Sequence, residues 1–299
     1  MTRFMRSNVT NSSTEEDFDF FCTKMPEAHI LWAVLSIPSA FVGVPASAWL
    51  LWVLVKRQRS GVMTNDIYML NLTVMDIVFT LCIIPAVINH FVWHDVIFKS
   101  VIDFPYTFNI NGRPLFMACI CVDCFMAVVY PVTYMKMKRS SYRWLPCAAV
   151  WVFTTLFLLA LIYHQHLYFS SFVSVPYVIS IPTIIVCDLA ILRTLRKPDP
   201  SGRTDVHPQK QRALQTITNS FIMTLVCYLP VMVVNLFLSF MPATNLQKYC
   251  AISMPVVMTP LIGSIIMPLL HLHGLGKLRA LQQCTRRVSG PPVQPTQQP

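Results

Sequence analysis

Seven stretches of this chain are long and apolar enough to cross a lipid bilayer, at about 29–55, 66–92, 97–128, 144–164, 171–195, 211–240 and 250–272. A spanning helix needs roughly 20 apolar residues at about 1.5 Å rise per residue. Lipid offers the backbone no hydrogen-bond partner, so each stretch must satisfy its own amides as a helix. The expected fold is therefore all-α: a seven-transmembrane helical bundle with one short amphipathic helix after span seven. The 12% of charged residues agrees, since soluble domains carry about 25%.

The net charge of +10 can suggest nucleic acid, but its placement argues for a membrane instead. Lysine and arginine concentrate in alternate connections: Lys56 to Arg59, Lys136 to Arg143, Arg193 to Arg212, and Lys277 to Arg287. Those connections hold 17 basic residues against five on the opposite side (Arg3, Arg6, Lys24, Lys99, Lys248). The positive-inside rule then places the N-terminus outside and the C-terminus in the cytoplasm. Three segments follow. Residues 1–28 form an extracellular tail with glycosylation acceptors at Asn8 and Asn11, residues 29–272 the bundle, and residues 273–299 an amphipathic helix and a disordered tail. The first 28 residues hold no apolar signal core, so span one is expected to serve as the targeting signal.

The ten cysteines are not a disulfide framework. Most fall in helices as small packing residues, and Cys119, Cys121 and Cys124 do not converge on one helix face as metal ligands would. Only Cys22 and Cys250 are expected outside, in an oxidising compartment, where they can pair. Cys284, beyond span seven in an amphipathic stretch, is a palmitoylation candidate.

Two ionisable residues fall near mid-depth, Asp76 in span two and Arg113 in span three. An isolated charge there costs on the order of 2.5–3.5 kcal/mol on insertion scales. Two readings are open: the residues pair, or Arg113 snorkels to water while Asp76 stays protonated. Depth favours pairing, and Gly112 and Pro114 offer room for the guanidinium. Asp123 and Asp188 lie near inner helix ends, where both can reach the cytoplasmic interface. His90, Asp103, Tyr106, Thr107, Asn109 and Asn235 lie toward outer ends and are ligand-pocket candidates, with a wetted helix end as the plain alternative. No catalytic constellation, metal site or cofactor-binding loop is present, so no catalysis is expected.

Several motifs fall in register with these spans. They are Gly43-Val44-Pro45-Ala46-Ser47, Asn71-Leu72-Thr73-Val74-Met75-Asp76, Asp123-Cys124-Phe125 followed by Pro131, Trp151, Cys227-Tyr228-Leu229-Pro230, and Met267-Pro268-Leu269-Leu270-His271. Together they resemble the rhodopsin-like (class A) G-protein-coupled receptors, nearest the purinergic, protease-activated and hydroxy-acid receptor branch. The resemblance implies a plasma-membrane receptor with an extracellular ligand, and a heterotrimeric G protein, arrestin or both as cytoplasmic partners. It also implies transduction roles for Asp123, Cys124, Phe125, Tyr228, Pro230, Pro268 and His271.

The departures are informative. Cys124 stands where the family has its signalling arginine, Ser47 where it has asparagine, and Met267 and His271 at the ends of the span-seven motif. The cysteine that tethers span three to the second outer loop is absent. Arg113 falls in the family's sodium pocket, beside the aspartate matched by Asp76. The first functional reading is a receptor that signals to a G protein. The second is a receptor-shaped protein that does not activate G proteins: a scavenger, an arrestin-biased receptor or a modulator of a partner receptor. A channel or transporter is disfavoured, because no polar stripe or repeated half marks a pathway.

Overall fold

The computed structural model describes residues 26–59, 66–136, 141–163, 171–196, 218–219, 221–238, 240, 256 and 259–274. The expected glycosylation, disulfide and palmitoylation positions (Asn8, Asn11, Cys22, Cys250 and Cys284) lie outside the described residues, as does the amphipathic helix after span seven.

The described residues are helical almost throughout, with no strand among them. In chain order they form α1 (Pro26–Arg59), α2 (Asp66–Ile88), α3 (Val96–Val129), the short α4 (Pro131–Lys136), α5 (Ser141–Tyr163), α6 (Val175–Arg196), α7 (Leu229–Leu238) and α8 (Thr259–Gly274). A π-helical turn, Asn89–Trp93, extends α2, and a second, Thr224–Tyr228, precedes α7. Five helices are long and apolar enough to span a bilayer. The apolar segments Phe221–Phe237 and Thr259–His273 supply the described parts of spans six and seven. The architecture is that of a seven-transmembrane bundle.

Helix α3 is the axis. It packs most extensively on α6 and also on α2 and α5, while α1 lies against α2 and α8. The apolar residues divide between two environments. Leu54, Phe116, Leu161, Tyr177, Ile184 and Leu272 are fully buried between helices. Phe41, Trp52, Leu156 and Val186 are more than half exposed on the outer surface, an arrangement that suits a lipid solvent. Hydroxyls inside the bundle bond back to their own helix, as with Thr73 to the Met69 carbonyl (2.7 Å) and Thr154 to the Val150 carbonyl (2.8 Å). Such bonds keep polar groups satisfied where water is absent.

Prolines break this self-sufficiency, and neighbouring helices bond to the backbone beside them. Pro114 lacks the amide that would bond the Ile110 carbonyl. That carbonyl instead accepts from the hydroxyl of Tyr177 on α6 at 3.1 Å. Ahead of Pro230 the helix widens into the Thr224–Tyr228 π-turn, and the Cys227 carbonyl accepts from Thr259 of α8 at 2.8 Å. The central helix and span six are thus each bonded to a neighbour at a proline site.

The α2–α3 connection sets the register of α3. His94 takes a left-handed φ of 55°, uncommon for a residue with a Cβ. The Asn89 side chain clamps the turn by donating to the Asp95 carbonyl (3.0 Å) and accepting from the Asp95 amide (3.1 Å). Asp95 then caps α3, its carboxylate accepting from the amides of Ile97 (2.8 Å) and Phe98 (3.1 Å). Asp95→Ala is expected to lower stability by about 1 kcal/mol, the usual cost of losing an N-cap. His94→Gly, which relieves the left-handed strain, should not lower it. Thermal unfolding of the purified protein in detergent measures both.

Candidate functional site

The centre of the bundle holds a buried charge cluster. Arg113 of α3 is fully buried, and its Nη1 lies 3.3 Å from Oδ1 of Asp76 on α2. Nη1 also donates to the Ser264 hydroxyl of α8 at 3.0 Å, and Nη2 donates to the Gly263 carbonyl at 2.7 Å. The Asn109 amide, about one turn from Arg113 on α3, donates to the same Asp76 oxygen at 3.0 Å. One guanidinium therefore joins three helices. Arginine suits the task because its planar fork presents five donors in fixed directions.

The backbone makes room for this group on α8 rather than on α3. A Cβ at Gly263 would stand 3.6 Å from Nη1 of Arg113 and 2.8 Å from the Met223 methyl. The room expected at Gly112 serves a different contact. A Cβ there would meet the Met75 sulfur at 3.1 Å and Thr154 at 3.4 Å, so Gly112 lets α3 approach α2 and α5. Ser264 is oriented for its role: its hydroxyl faces the Pro260 carbonyl at 3.4 Å, leaving a lone pair for the guanidinium. Span seven's contribution was not read from the sequence. The adjacent small residues Gly263 and Ser264 were the available signal, since small residues mark close helix approach in membranes.

The outer pocket candidates do not share one environment. Asn109 is buried beside Asp76 and belongs to the charge cluster rather than to an outer mouth. Tyr106 is half-buried, its ring 5.5 Å from that of Phe79. Thr107 is half-buried, and its carbonyl accepts from Asn111 at 2.8 Å. His90 stands edge-on to Trp32 (5.6 Å) and Phe91 (4.9 Å) at the outer end of α2. Asn235 is half-buried on α7. Asp103 lies on α3, with its side chain outside the described residues.

The inner candidates are more enclosed than an interfacial position implies. Asp188 is fully buried on α6, facing Cys121 of α3. The extensive α3–α6 contact covers it, where a reach to the cytoplasmic interface was the expectation. Asp123 is 9% exposed, and Oδ2 accepts from the Tyr134 hydroxyl of α4 at 3.1 Å. Cys124 is buried, and Phe125 stands edge-on to Tyr130 at 5.8 Å. Tyr228 is fully buried in the π-turn, 6.4 Å from Tyr177. Pro230 is half-buried and Pro268 buried. The buried Nε2 of His271 has no hydrogen-bond partner among the described residues. The motif residues Asn71 and Trp151 meet directly, the indole donating to the amide oxygen at 3.0 Å.

Sequence comparison bears on the helical bundle and its motifs. Residues 47–172 match the seven-transmembrane receptor (rhodopsin) family. The human uracil nucleotide/cysteinyl leukotriene receptor is 24% identical over 228 residues, covering 69% of this chain and 61% of that protein. Human proteinase-activated receptor 3 is 28% identical over 189 residues, covering 53% and 50%. A Xenopus laevis purinoceptor is 24% identical over 220 residues, covering 63% and 40%. Each match thus spans less than two thirds of the relative's length. Over these residues the chain is thus similar to rhodopsin-family receptors, among them nucleotide and protease-activated receptors, and its apolar helices make it a multi-pass membrane protein.

Family resemblance implies a sodium ion beside the span-two aspartate. The residues here do not fit that ion. Oδ1 of Asp76 faces two donors, the Arg113 guanidinium and the Asn109 amide, so an added cation there meets positive charge. Purified protein is expected to unfold at the same temperature in sodium chloride and in potassium chloride; stabilisation by sodium alone would contradict this.

Removing one partner of a buried pair costs about 3–5 kcal/mol, because the other charge is left uncompensated. Arg113→Gln is therefore expected to be strongly destabilising. The double variant Arg113→Gln/Asp76→Asn should recover part of that loss, and thermal unfolding of both measures the coupling.

Proposed function

We propose that the protein is a plasma-membrane receptor that binds an extracellular ligand and transmits a signal to a heterotrimeric G protein, with arrestin as a further cytoplasmic partner. The observation that carries this reading is the joint in span six. The Thr224–Tyr228 π-turn is followed at once by Pro230 and bonded to α8 through Thr259. Such turns loosen a helix locally and recur at functional sites. The joint sits next to the Arg113 cluster, since Met223 packs at Gly263 and Cys227 lies near the same glycine. A ligand entering from outside can therefore bias helices that are tied together at mid-depth.

One relative is named for uracil nucleotides and cysteinyl leukotrienes. The outer end of this bundle offers His90 and Lys99 as basic groups among the described residues. An anionic ligand here would meet few cations.

The second reading, a receptor-shaped protein that does not activate G proteins, is favoured by one observation. At the inner end of α3 the signalling position is Cys124, a small buried side chain, and Asp123 engages Tyr134. A cysteine cannot extend a cation to a cytoplasmic partner. Measuring constitutive G-protein dissociation in cells, for the native protein and for Cys124→Arg, separates the two. The first reading expects dissociation above mock-transfected cells from the native protein; dissociation gained only with Cys124→Arg supports the second.

A further inference from the structure

The connection between α2 and α3 closes its polar backbone on itself. The His94 amide donates to the Asn89 carbonyl at 2.8 Å, and the Asp95 amide to the Asn89 side chain at 3.1 Å. The amides of Ile97 and Phe98 donate to the Asp95 carboxylate at 2.8 and 3.1 Å, and that of Lys99 to the Asp95 carbonyl at 3.0 Å. A turn in water can leave its amides to the solvent, whereas a turn against lipid must satisfy them internally.

The side chains around the turn agree with a lipid setting. Val92 and Trp93 are 67% and 56% exposed on its α2 side, and Ile97 and Val101 are 79% and 64% exposed on its α3 side. They continue exposed apolar rows on the two helices, Leu81, Ile84 and Ile88 on α2 and Phe104 after Val101 on α3. Spacings of three and four residues keep each row on one helix face. Trp93 stands edge-on to Phe98 across the turn, with ring centroids 5.3 Å apart. From Phe91 to Phe98 the polar side chains are His94 and Asp95, at the tip. Length gives the depth. The apolar run Ile67–Trp93 has 27 residues, about 40 Å at 1.5 Å per residue. That exceeds the hydrocarbon core of about 30 Å and reaches the headgroup region.

We propose that this turn is an interfacial wedge that docks on the outer leaflet of the bilayer. His94 and Asp95 lie among the phospholipid headgroups, and Trp93 and Ile97 lie just below, against the glycerol and upper acyl chains. Tryptophan suits that level, because its body is apolar and its N–H can reach a polar partner. Lipid is favoured over a protein partner because both rows are continuous with the lipid-facing surface of α2 and α3. Residues 96–105 and 164–170 contain no cysteine, so no disulfide joins the start of α3 to the connection ahead of α6. The leaflet supplies the outer anchor of α3 instead.

The test uses the full chain in phosphatidylcholine nanodiscs. Trp93→Phe keeps an aromatic ring and removes one indole, so the native fluorescence less that of the variant isolates Trp93. Lipid brominated near the headgroup end of its chains is expected to quench this difference signal more strongly than lipid brominated near the chain end, and aqueous iodide is expected to leave it nearly unchanged. A second measurement needs no variant and decides the matter if Trp93→Phe fails to fold. Phosphatidylcholine carrying a diazirine at the top of its acyl chain is irradiated with the native protein, and lipid adducts are expected on residues 91–97, as on the exposed Val186 region of α6. Iodide quenching without adducts on 91–97 would place the turn in water and overturn the proposal. Protection from iodide and brominated lipid alike, again without adducts, would place protein on the patch and overturn it equally. Quenching strongest from the chain end would contradict the headgroup level.

Discussion

The bundle depends on one buried guanidinium. Arg113 reaches Asp76 on α2, and Gly263 and Ser264 on α8, from the helix that forms the axis of the fold. Moving a charge from water into a low-dielectric interior costs several kcal/mol even after relaxation. That cost is offset only while all the partners stay in place. Relative sliding of α2, α3 and α8 is therefore coupled: none can shift far without stripping a hydrogen bond from a buried cation. The cluster also explains why small residues face α3 from α8, since a side chain at Gly263 would crowd both Met223 and the guanidinium.

Around that fixed centre lie two looser places, each created by a proline. At Pro114 the freed carbonyl is taken by Tyr177, binding α3 to α6. At Pro230 the helix widens and Thr259 takes a carbonyl of the π-turn. The first of these bonds satisfies the carbonyl that the proline frees, and both tie the backbone near a proline to another helix. Membrane helices tolerate proline for this reason. Ties of this kind can be exchanged at modest cost, whereas the Arg113 cluster cannot. The bundle thus has a rigid middle and adjustable joints, a division suited to a receptor.

At the inner end of α3, Cys124 is a small buried side chain, and Asp123 is engaged by Tyr134 on the short helix that follows α3. A cavity lined by residues of α2, α3, α4, α5 and α6 reaches Asp123 and Tyr134 here.

Much of the fold was legible in the sequence, because hydropathy reports the solvent directly. Five of the seven apolar stretches appear as full spanning helices, and Asn71 and Trp151, read as motif residues, meet through a hydrogen bond. The sequence alone also singled out Asp76 and Arg113, since charges are conspicuous against an apolar background. It did not identify their other partners. Gly263 contributes a backbone carbonyl and Ser264 a hydroxyl, and neither stands out among small residues. Asn109 read as an outer-end polar residue, and only helix rotation turned it toward Asp76. Asp188 read as interfacial, and only the α3–α6 contact buried it. Composition determined where the helices run, because lipid acts on each segment separately. Tertiary structure decided which polar atoms meet, because that depends on the rotation and tilt of helices far apart in the chain.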